Sequence, residues 1–562
     1  MHVPPTRSTP IAAGFLVASL TAVNASAQEV APSLAGRSTV YAPNGAIATS
    51  QPLATAAGLA VLQRGGNAID AAVTAAAVLS LVEPHMTGIG GDLFALFWWS
   101  RESRLVGLNA SGRSGSLMTR AAFTDQGLDA VPLFGGQPIT VPGALSGWAA
   151  LLERYGTVSL DQALAPAIRL ADSGFPVSPI IGAQWAAQAE RLREDEGARA
   201  TFLLEGTRAP RAGEWFRNPD LAATYQAIAD SGPAVLYGGS LGQRIVDRVS
   251  ALGGFLTLDD LAKHQPVWVE PMSVTFRGHT VWELPPNGQG VAALEMLRIL
   301  EPYDLAEMGH NSAPYLHHLI EAKKLAFADL ARWVGDPEAM SVPAERLLDE
   351  DFIEARRAAL DPERAAVRVD PGSAVTSSET VYLAAADGDG NMVSLINSIY
   401  WEFGSGVVVP GTGFALQNRG AGFTLEPDLP NTVAPRKRPF HTIIPAFVTR
   451  PGPAGEEPWL AFGVMGGSIQ PQGHVQVLLN LLEFGMDLQE AIDAARFRHL
   501  SGLQVGLEGP IPEGTRRALA ALGHEIVALP PGEAGGAQAV MRLLRGWAAG
   551  SDPRKDGMAA GW

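Results

Sequence analysis

The sequence predicts an α+β protein built in layers. Three observations carry this. Helical spacing dominates the chain before residue 371, and β-prone runs cluster after it. Apolar residues make up 47% of 562 residues and charged residues only 17%, enough for a large core. No internal repeat interrupts the pattern.

Bulk properties exclude several function classes. The net charge of −16 argues against nucleic acid as a partner, because phosphate binding needs an excess of Lys and Arg. There is no cysteine, so disulfides, thiolate catalysis and cysteine-held zinc or iron–sulfur sites are excluded.

The first element is an export signal. His2 and Arg7 precede an apolar run, Ile11 to Val23, and Ala25-Ser26-Ala27 supplies a small-residue cleavage site. The run is too short to span a bilayer comfortably. The expectation is a signal peptide over 1–27, a mature chain from about Gln28, a periplasmic or secreted location, and no membrane attachment once the signal is gone.

Gln51 to Arg64 has helical spacing and stops at Gly65-Gly66. Asn67 caps an Ala-rich helix to about Val82, whose apolar run includes Asp70 and Thr74 and suits a buried helix. The loop Thr87 to Asp92 is glycine-rich. It lacks both the strand–loop–helix order of a dinucleotide site and the Lys-Ser/Thr of a P-loop, so close backbone packing explains it better. Strands are predicted at Leu93 to Trp99 and Arg104 to Leu108, with a loop at Asn109 to Arg113. Several helices follow between Gly143 and Ser250, broken near Gly174 and Gly232. Thr257 caps a short helix, Val274 to Leu284 alternates like strands, and Gly288 to Leu300 and Pro314 to Val334 are amphipathic helices. Arg346 to Val369 reads as a charged helix. Later come a glycine-rich stretch, Val407 to Gly422, strands at Thr442 to Thr449 and Trp459 to Phe462, and helices at Val475 to Glu483 and Leu488 to Ala495.

Between these halves lies the stretch Pro371 to Gly406. It opens as a soft Gly/Pro/Ser/Thr linker. A β-prone run follows from Thr380 to Ala386, then the turn Asp387 to Asn391, then a second strand, Met392 to Trp401. A hydroxyl residue opening a strand behind a linker suits a chain that cuts itself before Thr380. A threonine hydroxyl needs a base. An N-terminal threonine carries its own, an α-amine with a reference pKa of about 7.7–8.0. Within the chain that nitrogen is an amide, so cleavage of Glu379–Thr380 is the activating step. Taken alone, the stretch also fits a Ser/Thr-rich loop entering an ordinary hairpin; the rest of the chain decides for the catalytic reading.

Two other constellations are weaker. Asp387, Asp389 and Asn391 resemble the start of a calcium loop, but the sixth position is Met392 and the twelfth Ser398, so the pattern fails. His317, His318 and Glu321 share a helix without an H-E-x-x-H motif or a third ligand, which favours a packed helix face over a metal.

A series of motifs runs in order along the chain: GGNAIDAAV from Gly65, EPHMTGIGGD from Glu83, VPGALSGW from Val141, LAPAIRLADSGFPV from Leu164 and GGFLTLDDLAKH from Gly253. PPNGQG from Pro285, EAKKLAFAD from Glu321, the hairpin, APRKRPFHTIIP from Ala434, GVMGGSIQPQ from Gly463 and the closing GSDPRKDG complete it. This ordered series resembles the γ-glutamyltransferase family of N-terminal-nucleophile hydrolases. The resemblance implies a four-layer αββα sandwich and a precursor cut into a large subunit (28–379, with the linker 371–379) and a small one (380–562) that stay together. It also implies a threonine acyl-enzyme formed from a small-molecule amide such as glutathione, without a cofactor. A homodimer of such pairs is compatible with it.

Site roles carry over unevenly. Thr380 matches the nucleophile, and Ser398 stands where the family has a second threonine bonded to it. Gly466 and Gly467 match the oxyanion-hole glycines. The arginine that holds a substrate α-carboxylate is replaced by Ser111, with Arg113 two residues on. The acid for the α-amine is Gly422, a glutamine is Arg419, an asparagine is Tyr400, and a pair of serines is His441-Thr442. Losing an acid and gaining an arginine makes the pocket more cationic. Arg113, Arg419 and His441 are the candidate anchors for an anionic acyl group lacking an α-amine, with Tyr400 and Thr442 beside them. Alternatives are an acylase for glutaryl-β-lactam or oxamate-type amides, and a processed, non-catalytic periplasmic binding protein.

Overall fold

Two antiparallel sheets of seven strands pack face to face, in a computed structural model that describes residues 1–2, 36–367, 379–453 and 455–562. Arg37–Trp562 form one unit. The expected signal peptide and the linker ahead of Glu379 lie outside the described residues. Among the described residues, no helix is long and apolar enough to cross a membrane.

The first sheet runs, edge to edge, Met558–Gly561, Ala46–Thr49, Glu379–Ala386, Met392–Tyr400, Asp92–Trp99, Arg104–Ala110 and Val267–Val269. The second runs Val40–Ala42, Trp547–Ser551, Gly536–Arg542, Gly455–Met465, Ala446–Gly452, His279–Glu283 and Met272–Phe276. Each sheet mixes strands from both sides of residue 379, so a cut there would leave two pieces joined by backbone ladders.

Between the sheets, Phe94, Leu96, Tyr382, Ile396, Phe447 and Val540 form one buried cluster. Helices cover both outer faces. The helix Ala68–Val82 packs behind the first sheet, and Gly290–Leu300, Ala313–Trp333 and Ile469–Leu482 pack behind the second. This is the expected four-layer αββα sandwich. The inner strands are buried on both faces, so Met392–Tyr400 does not alternate, and even its polar residues Ser394, Asn397 and Ser398 are buried.

Local chemistry explains the elements nearest the hairpin. Asn67 and Asp70 form a capping box at the start of the Ala68–Val82 helix. The turn Asp387 to Asn391 is held by the Asp387 carboxylate. It accepts from the N–H groups of Asp389 at 3.0 Å and Asn391 at 3.1 Å, and from the Ala68 N–H at 2.8 Å. An acid-rich turn is thus satisfied by backbone donors at a helix N-terminus.

Some boundaries differ from expectation. The helix predicted over Arg346 to Val369 is confined to Glu350–Ala359, after a short 3₁₀ turn at Ala344–Leu348. Pro362 lacks the N–H a helix would need there, and the residue before a proline is pushed towards extended backbone. The strand expected from Thr442 begins at Ala446, because His441 and Thr442 are drawn into contacts with neighbouring loops.

Candidate active site

Three adjacent strands of the first sheet place Thr380, Ser398 and Asp92 side by side. Ser398 pairs directly with Asp92. Glu379 pairs with Tyr400 but Val381 with Asn397, so the ladder slips by one residue around Thr380. Such a bulge re-aims a side chain. Here Thr380 Oγ1 donates to Ser398 Oγ at 3.3 Å, and both residues are fully buried.

Ser398 Oγ is held from two further directions. It accepts from the Tyr400 N–H at 2.9 Å and from Arg419 Nη2 at 3.3 Å. Tyr400 sits at φ +79°, a conformation that tyrosine rarely adopts. Its ring lies 4.2 Å from the Arg419 guanidinium, a cation–π contact. Arg419 comes from the 3₁₀ turn Arg419–Gly422, is fully buried, and also donates from Nη1 to Thr442 Oγ1 at 2.9 Å.

A second link reaches the other sheet. Gln289 Nε2 donates to the Thr442 carbonyl at 2.6 Å and to the Gly467 carbonyl at 2.9 Å. Gly466 and Gly467 turn the strand Gly455–Met465 into the helix Ile469–Leu482, at φ +124° and +71°. Only glycine takes such angles freely, and a Cβ on Gly466 would lie 2.8 Å from Ile469 Cγ2. Neither glycine's N–H has a hydrogen-bond partner among the described residues.

Asp92 closes the cluster. Its Oδ1 accepts from the Gly112 N–H at 2.8 Å, the Gly143 N–H at 3.2 Å and Gln417 Nε2 at 3.1 Å. Its Oδ2 lies 2.8 Å from His441 Nε2, without the alignment of a hydrogen bond. Burial pushes the Asp92 carboxyl up to about 7, against the pull of Arg419. Burial likewise holds the His441 imidazole well below its ordinary range, with Arg419 and Arg438 adding to the effect, so His441 is neutral. Arg419 is lowered to about 10 by burial and stays charged near neutral pH.

A sequence profile of the gamma-glutamyltranspeptidase family matches residues 54–562. The chain belongs to that family. Among curated relatives, it is 39% identical to the glutathione hydrolase-like YwrD proenzyme of Bacillus subtilis, over 91% of this chain and 97% of that one. It is 36% identical to the oxamate amidohydrolase proenzyme of Klebsiella pneumoniae, again over 91% and 97%. Among solved structures, it resembles cephalosporin acylase from Bacillus halodurans with a TM-score of 0.88 and 44% identity, covering 95% of this chain and 98% of that one. This gamma-glutamyltranspeptidase family member is an N-terminal-nucleophile amide hydrolase or transferase.

Within this family frame, the structure gathers some candidate residues and separates others. Thr380, Ser398, Tyr400, Arg419, His441 and Thr442 form one contiguous cluster. Arg113 stands apart: it is held by Asp336 at 3.1 Å and Glu338 at 2.6 Å, and donates to the Arg436 carbonyl at 3.0 Å. The peptide linking Glu379 to Thr380 lies at the ladder slip. Gly422 brings no side chain to the cluster. Asp92 and Gln289 were missed as site residues, although Asp92 ends the motif EPHMTGIGGD and Gln289 is the fifth residue of PPNGQG.

His317 and Glu321 acquire the companion that their helix lacked, His524, with His317 Nδ1 2.8 Å from His524 Nε2. The Lys324 ammonium already holds Glu321 at 2.7 Å. His524 lies over 200 residues away in sequence, out of reach of any local spacing rule.

Proposed function

We propose that the protein is a self-cleaving amide hydrolase for acyl groups that end in a carboxylate and carry no α-amine. Glutaryl- and oxamate-like amides are the class in view. The single observation behind this is Arg419. It is completely buried, has no carboxylate within ion-pair distance among the described residues, and donates to the same Ser398 hydroxyl that Thr380 does. A buried cation held by two hydroxyls and an aromatic ring, with no carboxylate within ion-pair distance among the described residues, favours an anionic ligand and disfavours a substrate ammonium. Two relatives are named oxamate amidohydrolase and cephalosporin acylase, which supports the same direction.

In this reading Thr380 Oγ attacks the Glu379 carbonyl. The C–N bond breaks as an ester forms, and the proton passes to the new amine. Water then splits the ester, leaving a carboxylate on Glu379 and a free N-terminal Thr380. The relatives named as proenzymes support such a cut, dividing the chain into 28–379 and 380–562. In turnover the Thr380 amine takes the hydroxyl proton, and the acyl group moves to Oγ. The unpaired N–H groups of Gly466 and Gly467 receive the oxyanion. The amine leaves with the proton, and water or an acceptor amine releases the acyl group. Export to the periplasm or beyond, from residues 1–27, belongs to the same proposal.

The test is hydrolysis of glutaryl- and γ-glutamyl-p-nitroanilide at equal concentration by the processed enzyme. Faster release from the glutaryl compound is expected. A strong γ-glutamyl preference would overturn the anionic-acyl reading and return the protein to glutathione-like donors.

A further inference from the structure

One side chain joins two parts of the proposed site. Gln289 is 1% exposed, and both hydrogens of its amide go to main-chain carbonyls, Thr442 at 2.6 Å and Gly467 at 2.9 Å. Gln289 is the N-cap of the helix Gly290–Leu300, yet its side chain makes no capping bond there. A capping side chain ordinarily turns back onto its own helix. This one reaches across to two other loops.

Its seat is fixed from both sides. Gly288 forms a parallel β-bridge with His441, the His441 N–H donates to the Asn287 carbonyl at 2.8 Å, and Asn287 Nδ2 donates to the Pro439 carbonyl at 2.7 Å. Residues 287–289 therefore run beside 439–442. On the far side, the Gly467 carbonyl also accepts from the Gln470 N–H at 3.0 Å, and Gln470 Oε1 accepts from the Ile444 N–H at 3.0 Å.

The two carbonyls belong to different working parts. The Thr442 hydroxyl accepts from Arg419 Nη1 at 2.9 Å, and Gly467 is half of the turn proposed to receive the oxyanion. Hydrogen bonds thus lead from Arg419 through Thr442 and Gln289 to Gly467, all of them buried. Buried networks rigidify what they join.

We infer that Gln289 is a positioning residue that sets the span between the acyl-carboxylate anchor and the oxyanion turn, and so the length of acyl chain the site accepts. The inference rests on Arg419 binding the acyl carboxylate. A substrate with its carboxylate on Arg419 and its amide carbonyl at Gly466 and Gly467 must match that span. A chain one methylene too short or too long leaves one end unmade. The proposed cut would leave Gln289 in the large subunit and both of its partners in the small one, so that holding the two together would also hold the spacing.

The test is kcat/KM across two series of p-nitroanilides on the processed enzyme. One is succinyl, glutaryl and adipyl; the other is their α-amino counterparts, β-aspartyl, γ-glutamyl and δ-(α-aminoadipyl). Every member ends in a carboxylate, so the length profile is read in whichever series is cleaved faster. One length should exceed its neighbours by about 10-fold or more. Gln289→Met, similar in volume and without donors, should lower the preferred substrate by about 10²-fold and the others less, so that the ratios approach one. A purely structural role would lower every length by one factor and leave the ratios unchanged. That result, or a flat profile in the wild type, would overturn the assignment. Thr442→Val removes the hydroxyl that Arg419 holds and leaves Gln289 in place. It should flatten the profile in the same way, and an unchanged profile would overturn the assignment even where Gln289→Met fails to fold. Faster cleavage of the α-amino series would sink the amine-free reading alone, since the length ratios and their response to the two variants still decide the role of Gln289. No cleavage in either series would overturn both.

Discussion

The hydroxyls of Thr380 and Ser398 face one another across 3.3 Å at a slipped position in the ladder, sealed from solvent and held by a buried arginine. The nucleophile proposed from this pair sits at a strand start, where backbone pairing fixes its direction before any substrate arrives.

Thr380→Ala should abolish both the cut and turnover, because no other hydroxyl occupies that position. A denaturing gel should show one uncut band, and mass spectrometry no terminus at residue 380. Thr380→Ser should still cut, more slowly.

Ser398→Ala removes the acceptor shared by Thr380, Tyr400 N–H and Arg419. We expect kcat to fall by about 10²-fold or more, in the range for a positioned proton-transfer partner. Ser398→Thr, which keeps the hydroxyl, should recover most of it. Equal loss in both variants would show that the volume of the side chain matters and the hydroxyl does not.

Arg419→Gln should raise KM for glutaryl amides about 10- to 100-fold, the scale of a hydrogen bond to a charged group. Neutral acyl amides should be affected much less. Stability should hold or rise, since a buried charge with no carboxylate in contact among the described residues is removed. Steady-state kinetics on the two acyl types, with a thermal melt, decides this.

Asp92 predicts a pH dependence. Its carboxyl is raised to about 7, so below that pH it is protonated and the Arg419 charge stands uncompensated. Above it, ionised Asp92 neutralises the pocket. KM for an anionic acyl substrate should therefore rise as pH climbs through about 7, and Asp92→Asn should flatten the profile. The native state holds a proton that the unfolded chain releases near 3.9, so this group's stabilising contribution is complete below about 4 and is lost as pH rises to about 7.

Gly466→Ala forces an alanine to φ +124° with its methyl against Ile469. A destabilisation of about 1–3 kcal/mol is expected from the backbone alone. Displacement of the N–H should cost a further ~10²-fold in kcat. A thermal melt separates the two: unchanged melting with lost kcat isolates the N–H, and unchanged kcat removes it from the mechanism.

Much of this was legible in the sequence because it is local. The cap at Asn67, the turn at Asp387 to Asn391 and the strand opening at Thr380 follow from short-range backbone preference, and the ordered motifs carried the sandwich and the glycine pair at 466–467 with them. The charged helix was overextended because a proline at 362 outweighs composition. What tertiary structure alone decided is which charges remain without a partner. Arg113, Arg419 and Arg438 are three similar cations in the sequence. Folding brings Asp336 and Glu338, more than 200 residues away, onto the first, and leaves the other two buried with no acid within ion-pair distance among the described residues. Ion pairing depends on distances set by long-range packing, and no spacing along a chain encodes those.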